Sequence, residues 1–329
     1  MSTQTRTITE TKGLGVRRRS RMAVVLAALS TVAPASALAQ RPAPLLAASN
    51  GSARADGQVG TIVIAHGAGP DWNAQVEAVV KAAQTGGPVE VSYLMGPGAR
   101  THRFQDAAKR LEEAGVREIV VVPLLVSSHS GHFEQIRWLV GATDTLDDVM
   151  MHHLHMAGIE RPNISVPMRV TPALDGAEEI AGIVAERALA LAEEPATQAL
   201  FLIGHGPNSA EDYAAWMEDL RPLADRVREL TGFRDVKVGL VQDDAAGPVR
   251  AEAVRRIREI ITLQHQVTGQ PVVVVPVLIG TGQISREKFP ADLAGLPIAY
   301  DGKGLLPHPA LARWIEARVA AAGTVGLRQ

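Results

Sequence analysis

A chain of 329 residues is long enough for two domains of ordinary size. With 46% hydrophobic and 21% charged residues its composition is that of a globular protein, which argues against a disordered or fibrous chain. A formal net charge of -2 gives no general attraction for nucleic acid, so no nucleic-acid partner is expected.

The first 39 residues follow the rules of export. Arg17, Arg18, Arg19 and Arg21 precede the apolar run from Met22 to Ala33, and Ala37-Leu38-Ala39 supplies the small-x-small pattern of a signal-peptidase site. A signal peptide over 1–39 is expected, with delivery by the export machinery and a periplasmic location. The general secretory and twin-arginine routes both stay open. The apolar run is about a dozen residues, short of the roughly 20 that a bilayer span needs. Residues 40–57, rich in Ala, Pro, Ser and Gly, read as a flexible leader. The chain has no cysteine, so any metal must be held by His, Asp, Glu or Met.

A first lobe is expected over 58–194. Gly60 to Ala65 is a short apolar strand running into His66-Gly67, and a helix from Asp71 to Gln84 follows. Val89 to Leu94 is a second strand and Thr101 to Ala114 a second helix. Glu118 to Val126 is apolar almost throughout, as in a strand buried on both faces of a parallel sheet. After Ser127-Ser-His-Ser-Gly-His132 the pattern loosens through Met156, as a helix followed by a mobile excursion would. Ile164 to Val170 is a fourth strand and Asp175 to Ala192 a closing helix. Glu193 to Thr197 reads as a hinge.

The order then repeats over 197–323. Ala199 to Ile203 leads into His205-Gly206, a helix spans Ala210 to Thr231, Asp235 to Val241 is a strand, Pro248 to Gln266 a helix, and Pro271 to Ile279 the central strand. Pro297 to Tyr300 and a helix from Ala310 to Ala321 finish the lobe. Val121-Val-Pro-Leu-Leu-Val126 matches Val274-Val-Pro-Val-Leu-Ile279. The fold class is therefore α/β: two tandem Rossmann-like lobes, each a mainly parallel sheet flanked by helices, with a cleft between them.

Loops after the carboxyl ends of parallel strands converge on one rim, which brings His66 and the 127–132 loop together. Imidazole there can ligate a borderline metal or accept a proton near neutral pH. A hydrogen-bonded structural histidine or a helix cap explains either motif just as simply. His129-x-x-His132 lacks the glutamate of the metalloprotease signature. Met150-Met-His-His-Leu-His-Met156 reads as a metal-acquisition patch, a lid or a plain surface helix. His205 matches His66, but the loop after Ile279 reads Gly280-Thr-Gly-Gln-Ile284 and carries no histidine, so the chemistry is asymmetric. Asp243 and Asp244 can offer a carboxylate across the cleft. His308, between two prolines, reads as structural. The nucleophile elbow, the phosphate-binding P-loop and the dinucleotide fingerprint are all missing, so no organic cofactor is expected.

The strand-His66-Gly67 start, the Val-Val-Pro-Leu-Leu strand with its Gly131-His132 loop and the two-lobe repeat together resemble the class II tetrapyrrole chelatases of the CbiX and SirB type, the sirohydrochlorin cobalt or iron chelatases. The resemblance covers nearly all of 59–320. It implies insertion of a divalent metal, Co²⁺ or else Fe²⁺ or Ni²⁺, into sirohydrochlorin or a related tetrapyrrole. It places the metal on His66 and His132, with His129 the alternative to His132 and His205 facing them. The family's glutamate near the end of the second strand is absent from Ser92-Tyr-Leu-Met95. Either Asp243 or Asp244 replaces it as proton acceptor, or the protein binds metal or tetrapyrrole without efficient turnover. Oligomeric state is left open.

Overall fold

The computed structural model describes residues 58–325; the expected signal peptide and leader lie outside the described residues. No helix among the described residues is long and apolar enough to cross a membrane.

The first sheet is built from β1 (Val59–Ala65), β2 (Val89–Tyr93), β3 (Glu118–Leu124) and β4 (Met168–Val170), in the order β2-β1-β3-β4. The second, from β5 (Ala199–Gly204), β6 (Asp235–Leu240), β7 (Val272–Val277) and β8 (Ile298–Ala299), repeats it as β6-β5-β7-β8. Every pair is parallel. The apolar runs explain the sheet centres: every residue of β3, β5 and β7 is buried. The fourth strand is shorter than the sequence suggested. Pro162 and Pro167 have no N–H to donate, and pairing is confined to Ile119–Val121 against Met168–Val170.

In this strand order the direction of winding reverses between β1 and β3, and again between β5 and β7. Such a switch point leaves a crevice at the carboxyl ends of the two strands. The His-Gly units follow β1 and β5, while the 127–132 and 280–285 loops follow β3 and β7. Each lobe thus presents one His-Gly unit and one loop at its crevice.

The lobe-one helices are α1 (Pro70–Ala82), α2 (Gly96–Ala99), α3 (Phe104–Glu113), α4 (Gly131–Leu139), α5 (Asp148–Ala157) and α6 (Glu178–Leu191). Where a helix followed by a mobile excursion was expected after His132, two helices stand. Ser130 caps α4 by accepting from the Phe133 N–H, and Asp147 caps α5 by accepting from Val149 and Met150. Gly158, in the left-handed region, ends α5. Lobe two contributes α7 (Ala210–Thr231), α8 (Gly247–Thr268), α9 (Phe289–Asp292), preceded by a π-helical turn at Ile284–Lys288, and α10 (Pro309–Val325).

The closing helices are exchanged. Helix α6 packs on α7 and β7 of the second lobe, whereas α10 returns to α1, β1 and β3 of the first. One core cluster accordingly runs from Ile62 and Val121 through Ile183 to Leu202, Val275 and Trp314, with a smaller cluster around Phe201, Ile261 and Phe289 on the α8 side. The segment expected as a hinge is tied down. The Glu193 and Glu194 N–H groups both donate to Gln198 Oε1, at 2.8 and 3.0 Å, and Gln198 is itself buried.

Candidate active site

The His-Gly dipeptide turns the chain sharply off the strand. Gly67 and Gly206 lie at φ +86° and +78°, and a Cβ on either would fall 2.3 Å from the Met95 carbonyl oxygen or 2.7 Å from Leu240 Cβ. The turn lets each histidine ring donate from Nδ1 to the next carbonyl, His66 to Gly67 at 2.7 Å and His205 to Gly206 at 2.8 Å. A carbonyl only accepts, so both rings carry a proton on Nδ1; the Nε2 of His205 meets Asp244, and that of His66 is left bare.

His132 reaches the same state by another route. It sits in the first turn of α4, and its Nδ1 is 2.8 Å from Oε1 of the fully buried Gln135. Gln135 uses its amide nitrogen to donate to the Met150 carbonyl at 2.7 Å. Its oxygen must therefore accept, which fixes the proton of His132 on Nδ1. The His66 and His132 rings meet edge to face with centroids 4.7 Å apart. Two partly buried neutral imidazoles, each with its outer nitrogen anchored, stand together on the rim of lobe one.

Their electrostatics differ from those of His205. Burial, with His132 close by, pulls the His66 imidazole down to about 4, against a smaller upward pull from the Gly67 carbonyl. Burial also lowers His132, with Gln135 opposing. At His205 burial again lowers the pKa. There the hydrogen bond with Asp244, the Gly206 carbonyl and the charges of Asp244 and Asp243 together outweigh it, and the net shift is upward. Asp244 Oδ2 lies 3.3 Å from His205 Nε2, and the contact holds the Asp244 carboxyl below its ordinary range. Both His205 and Asp244 act electrostatically on His66 and His132, so the two rims face one another.

The expected residues are sorted by this geometry. His66 and His132 are brought together, and His205 faces them. His129 is not. Its carbonyl accepts from Trp216 Nε1 at 2.5 Å and its half-exposed ring turns to Asp219 of α7, at 4.0 Å. The reason is local: the extended Ser130 caps α4, so His129 precedes the helix whereas His132 lies in its first turn. Asp243 takes the backbone position that Met95 holds in lobe one: Met95 N–H donates to the His66 carbonyl and Asp243 N–H to the His205 carbonyl, with Gln242 at φ +51° absorbing one extra residue. Its side chain is only 2% exposed and is bound by Arg250 at 3.1 Å and by Lys288. Both of its oxygens are thus engaged by cationic side chains. Asp244, with its side chain 66% exposed, is the available one. His205, Asp243 and Asp244 bring ligand atoms within 4.8 Å of one another, a grouping that can hold a metal ion. His308 bonds Glu186 at 3.0 Å, joining α10's start to α6, as a structural residue would.

Gln135 was missed by the sequence reading. Its one signal is its spacing of three from His132, visible only once Ser130 is recognised as a cap. Missed too were two tryptophans that cross between lobes. Trp72 of α1 packs against Gly280, where an added Cβ would lie 2.6 Å from its Nε1, and Gln75 exchanges two 3.1 Å bonds with Thr281. Trp216 of α7 makes the reciprocal crossing to His129.

The CbiX family model matches residues 60–191, which is most of lobe one. No curated protein matches the chain. Among solved structures, SirB from Bacillus subtilis with Fe3+ aligns at 18% identity over 82% of this chain and 98% of its own, with a TM-score of 0.53. DR2241 from Deinococcus radiodurans, a multi-domain protein with structural similarity to chelatases and two additional novel domains, aligns at 21% identity over 80% of this chain and 55% of its own, with a TM-score of 0.50. At these identities the structural likenesses establish the chelatase-like fold. Both histidines of the rim pair lie inside the segment that the CbiX family model matches.

Proposed function

We propose that the protein inserts a divalent metal, Co²⁺ or else Fe²⁺ or Ni²⁺, into sirohydrochlorin or a related tetrapyrrole. The observation that carries the proposal is the opposition of two histidine environments across the crevice. On one rim a pair is held neutral with both Nε2 atoms free; on the other, a histidine is made more basic by Asp244.

Metal insertion needs those two properties apart. A ligand that is easily protonated loses its ion, and a base that binds the ion cannot accept the protons the macrocycle gives up. His66 and His132, with lowered proton affinity, hold the incoming ion as neutral ligands. As the ion moves to the pyrrole nitrogens, two N–H protons depart. His205 Nε2 takes them one after the other on the side where Asp244 stabilises the imidazolium, and Asp244 passes each to solvent before the next is taken. Asp244 thereby supplies, from the second lobe, the carboxylate function that Met95 cannot supply in the first. Lys288 and Arg250 keep Asp243 in place beneath it.

The test is direct. Purified protein mixed with sirohydrochlorin and Co²⁺ should accelerate the absorbance change of metallation over the protein-free rate. Equal rates with and without protein would sink the proposal, while stoichiometric binding without repeated turnover would point to a carrier of metal or tetrapyrrole. Export to the periplasm belongs to the same proposal. It is supported by the basic and apolar pattern of residues 1–39, and processing at Ala39 is its mark in the mature N-terminus.

A further inference from the structure

Helix α5 carries Met150, Met151, His152, His153, His155 and Met156 within seven residues, and the chemistry described so far uses none of their side chains. Its placement is specific. The Met150 thioether lies against Gly131, so closely that a Cβ there would be 2.6 Å from the sulfur. Gly131 immediately precedes His132, and Gln135, which orients His132, holds the Met150 carbonyl. His153 follows Met150 by one helical turn and shares its face. Its Nδ1 is buried without a hydrogen-bond partner, although a buried imidazole nitrogen is ordinarily paired. His153 is also near enough for its charge to act on His132. His152, His155 and Met156 lie on the exposed side of the same helix.

Side chains with nitrogen and sulfur donors therefore descend in steps, from solvent at His152 and His155, through His153, to His132. Imidazole and thioether ligands share a preference for borderline and soft cations. We propose that α5 is the route by which a divalent cation reaches the rim pair, with His153 as the transit ligand that hands it to His132. The inference rests on the reading of His66 and His132 as metal ligands. It does not depend on whether a tetrapyrrole is then metallated.

The measurement is the rate of Co²⁺ arrival, followed by stopped-flow absorbance of the Co²⁺ bands on the full chain with no tetrapyrrole present. His153→Leu should slow association about tenfold at limiting metal, an effect in the range seen when groups around metal ligands are removed. The final Co²⁺ spectrum should match wild type. His153→Gln, which keeps a polar side chain but binds metal poorly, should be slow as well, and both variants should keep the wild-type far-UV circular dichroism. Association at the wild-type rate in the folded variants overturns the proposal. So does a changed final spectrum, which would make His153 a permanent ligand. If Co²⁺ loads quickly on wild type and slowly on the variants, yet wild type never metallates sirohydrochlorin, the transit role stands and the insertion reading falls.

Discussion

Lobe one and lobe two use the same backbone at their crevices and put it to opposite uses. Both turn off a buried strand at His-Gly, and both rings donate from Nδ1 to the glycine carbonyl. In lobe one the neighbour is a second imidazole, and proton affinity falls; in lobe two it is a carboxylate, and proton affinity rises. The loops after the central strands diverge in the same way. The 153-residue offset between Pro123 and Pro276 sets Ser285 opposite His132. Ser285 is wholly buried, bonded through Oγ to Gly282 and through its carbonyl to Tyr300. On the proposed reading, one copy of the loop serves chemistry, while the other serves packing.

The comparison breaks most visibly at the histidines themselves. His66→Ala or His132→Ala should weaken Co²⁺ binding by about 10²-fold, measured by equilibrium dialysis, because each removes one of two anchored ligands. His205→Ala should leave that affinity near wild type and slow insertion by about 10²-fold, the usual contribution of a positioned base. An equal loss of Co²⁺ affinity in all three would place the ion on the lobe-two cluster instead.

The pH dependence separates the lobes next. His66 stays neutral down to about 4, so Co²⁺ binding should survive well below pH 6.5. In the proposed mechanism insertion needs His205 unprotonated, and its raised pKa means that the rate should fall on acidification at a higher pH than binding does. Asp244→Asn removes the strongest upward pull on His205, so the insertion limb should move to lower pH while the binding limb stays put. Coincident limbs in wild type would refute the division of roles.

Restoring symmetry should fail. Ser285→His forces an imidazole into a filled position and should cost about 1–3 kcal/mol in urea unfolding without adding a Co²⁺ equivalent. The smallest effect expected is at the crossing from α7. Trp216→Phe deletes one hydrogen bond to His129 and should cost about 1 kcal/mol, with insertion nearly unchanged.

Much of the architecture was readable from the chain because its signals are local. The buried strands are continuous apolar runs, and the repeat of His-Gly and of Val-Val-Pro fixed the lobe order. What sequence could not convey was which sheet a helix covers. Helices α6 and α10 have ordinary apolar faces, and nothing in their composition distinguishes the near sheet from the far one. The site was partly legible for the same reason. His66, His132 and His205 sit at strand ends or a capped helix start, whereas the choice of Asp244 over Asp243 depends on Arg250 and Lys288 arriving from elsewhere in the fold. The capping role of Ser130 was the one local feature able to separate His132 from His129 in advance.

The exchanged closing helices also bear on how the molecule can be divided. A fragment ending near residue 194 would leave the β1 and β3 side without α10 and would carry α6 with its apolar face uncovered; the remaining fragment would have the reverse deficit. Neither half can satisfy its own surfaces, yet each holds the piece the other lacks. Two copies of a half-length ancestor would meet that condition by trading the same helix, so the single chain has the anatomy of a helix-swapped dimer whose subunits have been joined end to end.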